Sequence, residues 1–377
     1  MKLQRVRAVA KKEYLHIIRD VRSLIMGLAL PMLLLFMFGY ALTLDVDKVP
    51  LVVWDQSETP ASRDFIGRFS GSRYFQLVEH VSDYQAVERA IDRRDALIAL
   101  VLPVDFGRAG TSGKPIRIQV IVDGSDSNTA TIALGYAENI VRLYAADIVV
   151  AQSRRMTGTA PRPPLDIRPR VWFNDDMISR NAIVPGLIAV IMMVIAAFLT
   201  SLTIAREWET GTMEQLISTP LRGPELILGK LLPYFVIGLI DLALSVVVGR
   251  FVFDVPLRGE LWLLLGMAIL FLFGALSLGM LISIVGRSQF ASSQFAMVAT
   301  LLPAFLLSGF VFPIANMPKF LQIVTHIIPA RYLVTILRGI YLKGVGLSVL
   351  WREAALLALF GITVRILAIL KFRKKIE

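Results

Sequence analysis

The chain has 377 residues, 55% of them hydrophobic, and a mean hydropathy of +0.65. That is too apolar for an ordinary soluble protein and points to an integral membrane protein. Cysteine is absent, which excludes a disulfide framework, a thiolate metal site and a thiol nucleophile. His16, His80 and His326 are far apart in sequence and have no metal-ligand spacing, so no metal site is expected. The net charge of +11 gathers at the chain ends and beside apolar runs. That is the positive-inside pattern of a membrane protein, and it argues against nucleic-acid binding.

Residues 1–22 are predicted to form a cytoplasmic amphipathic helix. Leu3, Val6, Val9 and Ala10, then Tyr14, Ile17, Ile18 and Val21, recur at helical spacing with Lys and Arg between them. The basic region is too long for a cleavable signal, and the apolar run that follows has no small-residue cleavage site. Ser23–Leu44 reads as a first span, ended by Asp45, Asp47 and Lys48.

Residues 45–180 are of mixed polarity and long enough for one soluble domain with its own core. The pattern predicts strands over Val49–Trp54, Tyr74–Glu79, Ala96–Leu102 and Ile116–Val122. It predicts helices over Pro60–Phe69, over Ser82–Asp92 with Ser82 as cap, and over Asp126–Arg155. This alternation suggests an α+β or α/β layer. Ser125 and Ser127 lie in no nucleophile elbow. Asp123, Gly124 and Asp126 are better read as a turn and cap than as part of a hydrolytic site. The Pro-rich stretch 157–171 reads as an extended linker.

Residues 181–377 supply the other spans: Ile183–Ala205, Leu226–Phe253, Leu261–Val285, Ala291–Phe312 and Ala354–Leu370. Between the last two, residues 313–350 are broken by Pro313, Pro318 and Pro329 and read as interfacial or re-entrant helices. The expected fold is therefore an α-helical integral membrane protein with six transmembrane helices and an inserted α+β extracytoplasmic domain between spans 1 and 2. Arg206, Arg222, Lys230, Arg287 and the terminal Lys371, Arg373, Lys374 and Lys375 then share the cytoplasmic side with both termini.

Energy sources are scarce. Gly223 to Lys230 only approximates a phosphate-binding loop: five residues, not four, separate the glycines, Leu231 replaces the hydroxyl residue, and no strand precedes it. Lys230 is read instead as a snorkelling lysine at the end of a span, and Arg365, close enough to the cytoplasmic end of the last span to snorkel, is assigned no role. Asp241 is the one carboxylate deep in a span, which is poor material for an ion relay. It reads either as a residue of a translocation path or as a polar contact between helices.

The stretch Arg206–Leu221, REWETGTMEQLISTPL, is polar, compact and flanked by two spans. Gly211 can break the preceding helix, Thr212 can cap a short helix over Met213–Ile217, and Pro220 stops it. A short helix held by two long spans is a lever: force on it moves both.

That stretch resembles the hallmark segment of the type-2 permeases of ABC transporters, the membrane subunits of ABC exporters. Residues 231–259 and 307–344 and the amphipathic start resemble other parts of the same family. The long external segment resembles its subgroup of bacterial multidrug-type exporters. The resemblance implies a permease in the bacterial inner membrane that pairs with a separate ATPase subunit and forms a homodimer or pairs with a paralogue. ATP and Mg are then used by the partner, and this chain is not itself an enzyme and carries no cofactor. The implied coupling residues are Arg206, Glu207, Glu209, Gly211, Thr212, Glu214 and Pro220 within segment 206–222. The acidic ones would meet basic or polar groups of the ATPase. A periplasmic adaptor and membrane lipids are further implied partners, and the substrate is an amphiphile, drug-like or lipid-like. The alternatives are a non-transporting sensor or scaffold with an external ligand domain, and an ion-coupled secondary transporter. The first is disfavoured by the lack of a cytoplasmic output domain, the second by the lack of paired repeats or several buried ionisable groups.

Overall fold

A computed structural model describes residues 2–42, 47–108, 116–157, 172–174 and 178–372. The chain divides into two compact units, one of residues 1–44 with 170–377 and one of residues 45–169. The expected linker 157–171 lies outside the described residues, apart from Thr157 at the end of a helix. So do Asp45 at the expected end of span 1 and Arg373, Lys374 and Lys375 of the basic tail.

Helix α1 (Leu3–Arg19) is amphipathic as predicted, but its buried face carries Val6, Val9, Glu13 and Ile17, so one member of the stripe is an acid. Helices α2 (Val21–Leu24) and α3 (Leu30–Ala41) follow, joined by a π-helical segment, Ile25–Ala29. The apolar stretch Ile25–Ala41 is shorter than the expected first span and falls below the length of the five long apolar helices.

The second unit is a four-stranded mixed sheet of order β2-β1-β3-β4, made of β1 (Val49–Asp55), β2 (Phe75–His80), β3 (Ile98–Leu102) and β4 (Gln119–Val122). β1 pairs in parallel with β2 and β3, which requires the crossover helices α4 (Pro60–Ser70) and α5 (Tyr84–Asp92); β4 closes the sheet antiparallel to β3. β3 is buried along its whole length, as its continuous apolar run requires. One face packs Phe65 and Phe69 of α4 and Tyr144 of the 31-residue α6 (Ser127–Thr157) over Leu51, Val53 and Leu100. Val87 of α5 covers the other face. Two local expectations shift. The cap of α5 is Asp83, which accepts from the Ala86 amide at 2.7 Å, and not Ser82, because only Asp83 stands three residues ahead of a free first-turn N–H. Asp126 accepts from the amides of Asn128 and Thr129, and the Thr129 hydroxyl bond holds its carboxyl below the usual range. It therefore starts α6, as a turn and cap.

The first unit is built around α7 (Ser179–Glu209). This helix is apolar all round and correspondingly buried on nearly all sides. Around it pack α9 (Gly223–Phe251), α10 (Leu261–Gly286), α11 (Gln289–Leu306) and α13 (Pro329–Arg338), after the short α8 (Thr212–Ser218) and α12 (Lys319–Val324). Helix α14 (Leu347–Lys371) lies against α10. The α7–α10 approach is close enough that a Cβ on Gly279 would fall 2.1 Å from Thr200 Oγ1 and 2.2 Å from the Ala197 carbonyl, so glycine is required there. One turn on, the Ser283 hydroxyl accepts from the amides of Ile204 and Ala205, both at 2.9 Å, and fixes the end of α7 to α10.

By length and composition, α7, α9, α10, α11 and α14 can each cross a membrane. The proline-broken stretch gives a pair, Lys319–Ile327 and Pro329–Lys343, bent by 90°, which raises the number to six if that pair is one crossing. The chain is thus a mostly helical multi-pass membrane protein, with five or six candidate spans among the described residues.

Candidate functional site

The stretch 206–221 forms a junction. Helix α7 continues through Glu209, and the chain then turns at Gly211, whose φ of +71° only glycine adopts without strain. Gly211 itself takes the cap position of α8, so Thr212 is the first helical residue and not the cap. Met213 points inward and is buried, while Glu214, Gln215, Ser218 and Pro220 are exposed.

Beneath α8 lies a buried ion cluster. Lys230 of α9 is only 1% exposed; its ammonium donates to Glu13 at 3.0 Å, to Glu207 at 2.8 Å and to the Thr203 carbonyl at 3.4 Å. Lys12 donates to Glu207 at 2.9 Å, the Tyr234 hydroxyl donates to Glu13 at 3.2 Å, and the Thr212 hydroxyl donates to Glu207. Two carboxylates and two ammoniums thus balance charge across α1, α7 and α9, with α8 attached through Thr212. The surrounding desolvation makes each of these bonds depend on the others. Lys230 therefore does not snorkel: a lysine on the buried face of α9 is retained where Glu13 and Glu207 can pair with it. Since α9 is an unbroken helix from Gly223, no phosphate-binding loop exists at that position either.

Two further clasps frame the junction. Glu225 accepts from the backbone amides of Lys2 at 2.8 Å and Arg222 at 3.0 Å, and Arg5 bridges Glu225 at 3.5 Å and the Pro220 carbonyl at 2.5 Å. On the other side, Glu209 accepts from the Gln289 amide at 2.7 Å, tying α7 to the start of α11. Arg206 donates to Gln289 at 3.3 Å, pairs with Asp20 at 3.6 Å and contacts His16.

The seven residues singled out from sequence therefore separate into two groups. Arg206, Glu207, Glu209 and Thr212 face other parts of the same chain, whereas Gly211, Glu214 and Pro220 lie on the exposed edge. Among the described residues the carboxylate of Glu214 has no partner. Glu13, Lys230, Tyr234 and Gln289 complete the junction without being picked out by any motif. For Glu13 a signal exists, namely a lone acid on the apolar stripe of a basic helix. For Gln289, which joins α11 to α7 across some 80 positions, there is none.

Asp241 lies on the same side of α9, 2% exposed, and its Oδ1 has no hydrogen-bond partner among the described residues. Arg365 is half-buried, with its guanidinium 4.8 Å from the centre of the Phe273 ring, a cation–π contact rather than free snorkelling. Arg338, which sequence does not single out, donates to the carbonyls of Ala182, Gly309 and Phe310 at 2.9–3.0 Å and joins α13 to α7 and to the segment after α11.

A multi-pass helical membrane unit with a short helix stapled under one end of two long helices defines a permease-type membrane subunit. The model of the family described as "ABC-2 family transporter protein" matches residues 21–370. The chain belongs to this family: it is the membrane permease of an ABC exporter, and the ATPase of such a transporter is a separate subunit. It is 40% identical over 343 residues to the "Probable multidrug ABC transporter permease YbhS" of Escherichia coli, covering 90% of this chain and 89% of that one. It is 29% identical to the "Probable multidrug ABC transporter permease YbhR" of the same organism, over 99% of both chains. The "Inner membrane transport permease YhhJ" is 26% identical over 95% of this chain and 96% of its own length.

Proposed function

We propose that this permease exports an amphiphilic, drug-like or lipid-like substrate across a bacterial inner membrane, as a homodimer driven by two copies of an ABC ATPase that docks on the exposed edge of α8. The observation that carries this is the two-sided construction of α8. Its inner side is fixed to α1, α7 and α9 through Met213, Thr212 and the Glu13–Lys230–Glu207 cluster; its outer side offers Glu214, Gln215, Ser218 and Pro220. A push on Glu214 is thereby delivered to the ends of two long helices at once. Glu207 acts in this scheme by holding the lever, and Glu214 by meeting the partner.

The segment Val21–Ala41 serves as the first crossing and α7, α9, α10, α11 and α14 as the rest, with the bent pair 319–343 re-entrant. Both termini and α8 then lie in the cytoplasm with most flanking Lys and Arg, and the α+β unit lies outside, available to a periplasmic adaptor. The multidrug wording attached to YbhS and YbhR supports an amphiphilic substrate, and that attached to YhhJ supports the inner membrane.

The test is co-expression with a candidate ABC ATPase subunit. Purified permease alone should not hydrolyse ATP, and the complex in vesicles should move an amphiphilic dye on ATP addition. Glu214→Lys should reduce export about tenfold or more while the variant still inserts and melts like the parent. Unimpaired export by that variant would remove α8 as the docking edge.

A further inference from the structure

Five charged side chains among the described residues are buried: Glu13, Glu207, Glu225, Lys230 and Asp241. The first four are held by ion pairs or backbone amides. Asp241 is the exception, with Oδ1 unpartnered. Its walls are Gly27 of the π segment, Met192, Ala196 and Leu199 of α7, Gly238 of α9 and Leu272 of α10. Tyr234 also lines the seam, but its hydroxyl is donated to Glu13.

The seam is shut. The gap beside Asp241 is about 10 Å³, no more than a water probe needs. A Cβ on Gly238 would meet Leu272 at 2.8 Å, and one on Gly27 would meet Ile237 and Leu199 at 3.2 Å. A carboxylate enclosed without a donor in apolar surroundings is costly, and such groups inside spans are retained for function. The closed seam leaves Asp241 Oδ1 unsatisfied; besides taking up a proton, its carboxyl is relieved if the seam parts and a positive group enters. The π segment Ile25–Ala29 forms one wall, and a π bulge is a place where helical hydrogen bonds change register at low cost.

We propose that Asp241 is the charge-selecting residue of the substrate path, and that the preferred substrates are hydrophobic cations, an ammonium or phosphonium centre shielded by apolar groups. This rests on the export reading above. Apart from Tyr234, whose hydroxyl proton is given to Glu13, the walls around Asp241 are apolar, so recognition depends on charge and apolar contact, which suits a diffuse cation and disfavours an anion of the same size. Methionine and leucine walls adapt to different shapes, which allows several such substrates. Asp241 and Lys230 lie eleven residues apart on α9, about three turns and about 16 Å, hence on one helix face. A cation seated at Asp241 therefore loads the same helix that the ion cluster joins to α8.

The probes are tetraphenylphosphonium and tetraphenylborate, alike in size and apolar surface and opposite in charge. Purified permease should bind the phosphonium saturably and at least tenfold more tightly than the borate. Asp241→Asn should weaken phosphonium binding at least tenfold, and Asp241→Glu should restore it to within about threefold of the parent. Equal affinity for the two ions, or binding unchanged in Asp241→Asn, overturns the proposal; so does the absence of phosphonium binding by the parent protein. Should Asp241→Asn fail to fold, the ion pair measured on the parent still decides. Asp241-dependent phosphonium binding without ATP-driven export by the full complex would leave the site standing and refute the export reading instead.

Discussion

Helix α9 buries charge at two places on one face, and treats them oppositely. Near its start, Lys230 gathers Glu13, Glu207 and, through Glu207, Lys12 and Thr212, so that every charge has a partner. Three turns further on, Asp241 sits among largely apolar side chains, and its Oδ1 has no hydrogen-bond partner among the described residues. A paired cluster costs little in place and much if broken, so it suits a joint that must transmit force without changing. An unpaired carboxyl costs free energy for as long as the seam is shut, so it suits a surface that must open.

Breaking the first site should have the largest effect. Lys230→Met leaves Glu13 and Glu207 facing each other beneath α8 and should destabilise the permease by about 3–5 kcal/mol, seen as a lower melting temperature in detergent. Adding Glu13→Gln should recover part of that loss, because the orphaned charge is what costs. Tyr234→Phe removes one donor to Glu13, between the two sites, and should cost about 1.5–3 kcal/mol in the same assay. Asp241→Asn should behave in the opposite sense: by removing a buried charge that has no partner, it should leave the melting temperature unchanged or raise stability by about 1 kcal/mol. A loss of similar size there would mean that Asp241 is a structural contact between helices, and the contrast between the two sites would fail.

Much of the fold is legible in the residues. Apolar runs of spanning length locate α7, α9, α10, α11 and α14, with ends that differ by up to seven residues, and the strands of the second unit follow from their Val, Ile and Leu content. Hydrophobic length and period are local properties, so they survive without tertiary information. The turn at Gly211 and the short helix after it are legible for the same reason, though the cap is not, because which residue leads the first turn is settled by one φ angle. The break inside the first apolar stretch is not legible: the chain there passes through a π segment, and no residue in Ile25–Ala29 announces one.

Local pattern alone establishes the class: an apolar, cysteine-free, cationic chain with membrane-length runs and a polar segment between two of them. The tertiary structure decided which charges face inward. Glu207 looks like a contact for a partner when read along the chain, and Lys230 like a snorkelling lysine, yet the two meet each other and Glu13 across intervals of 23 and 217 positions. The direction of a charged side chain depends on whether a counter-charge from a distant helix arrives beside it, and that is a property of packing, not of local pattern. The same dependence separates the paired acids from Asp241, where, among the described residues, the π segment, α7 and α10 bring no counter-charge to the neighbourhood.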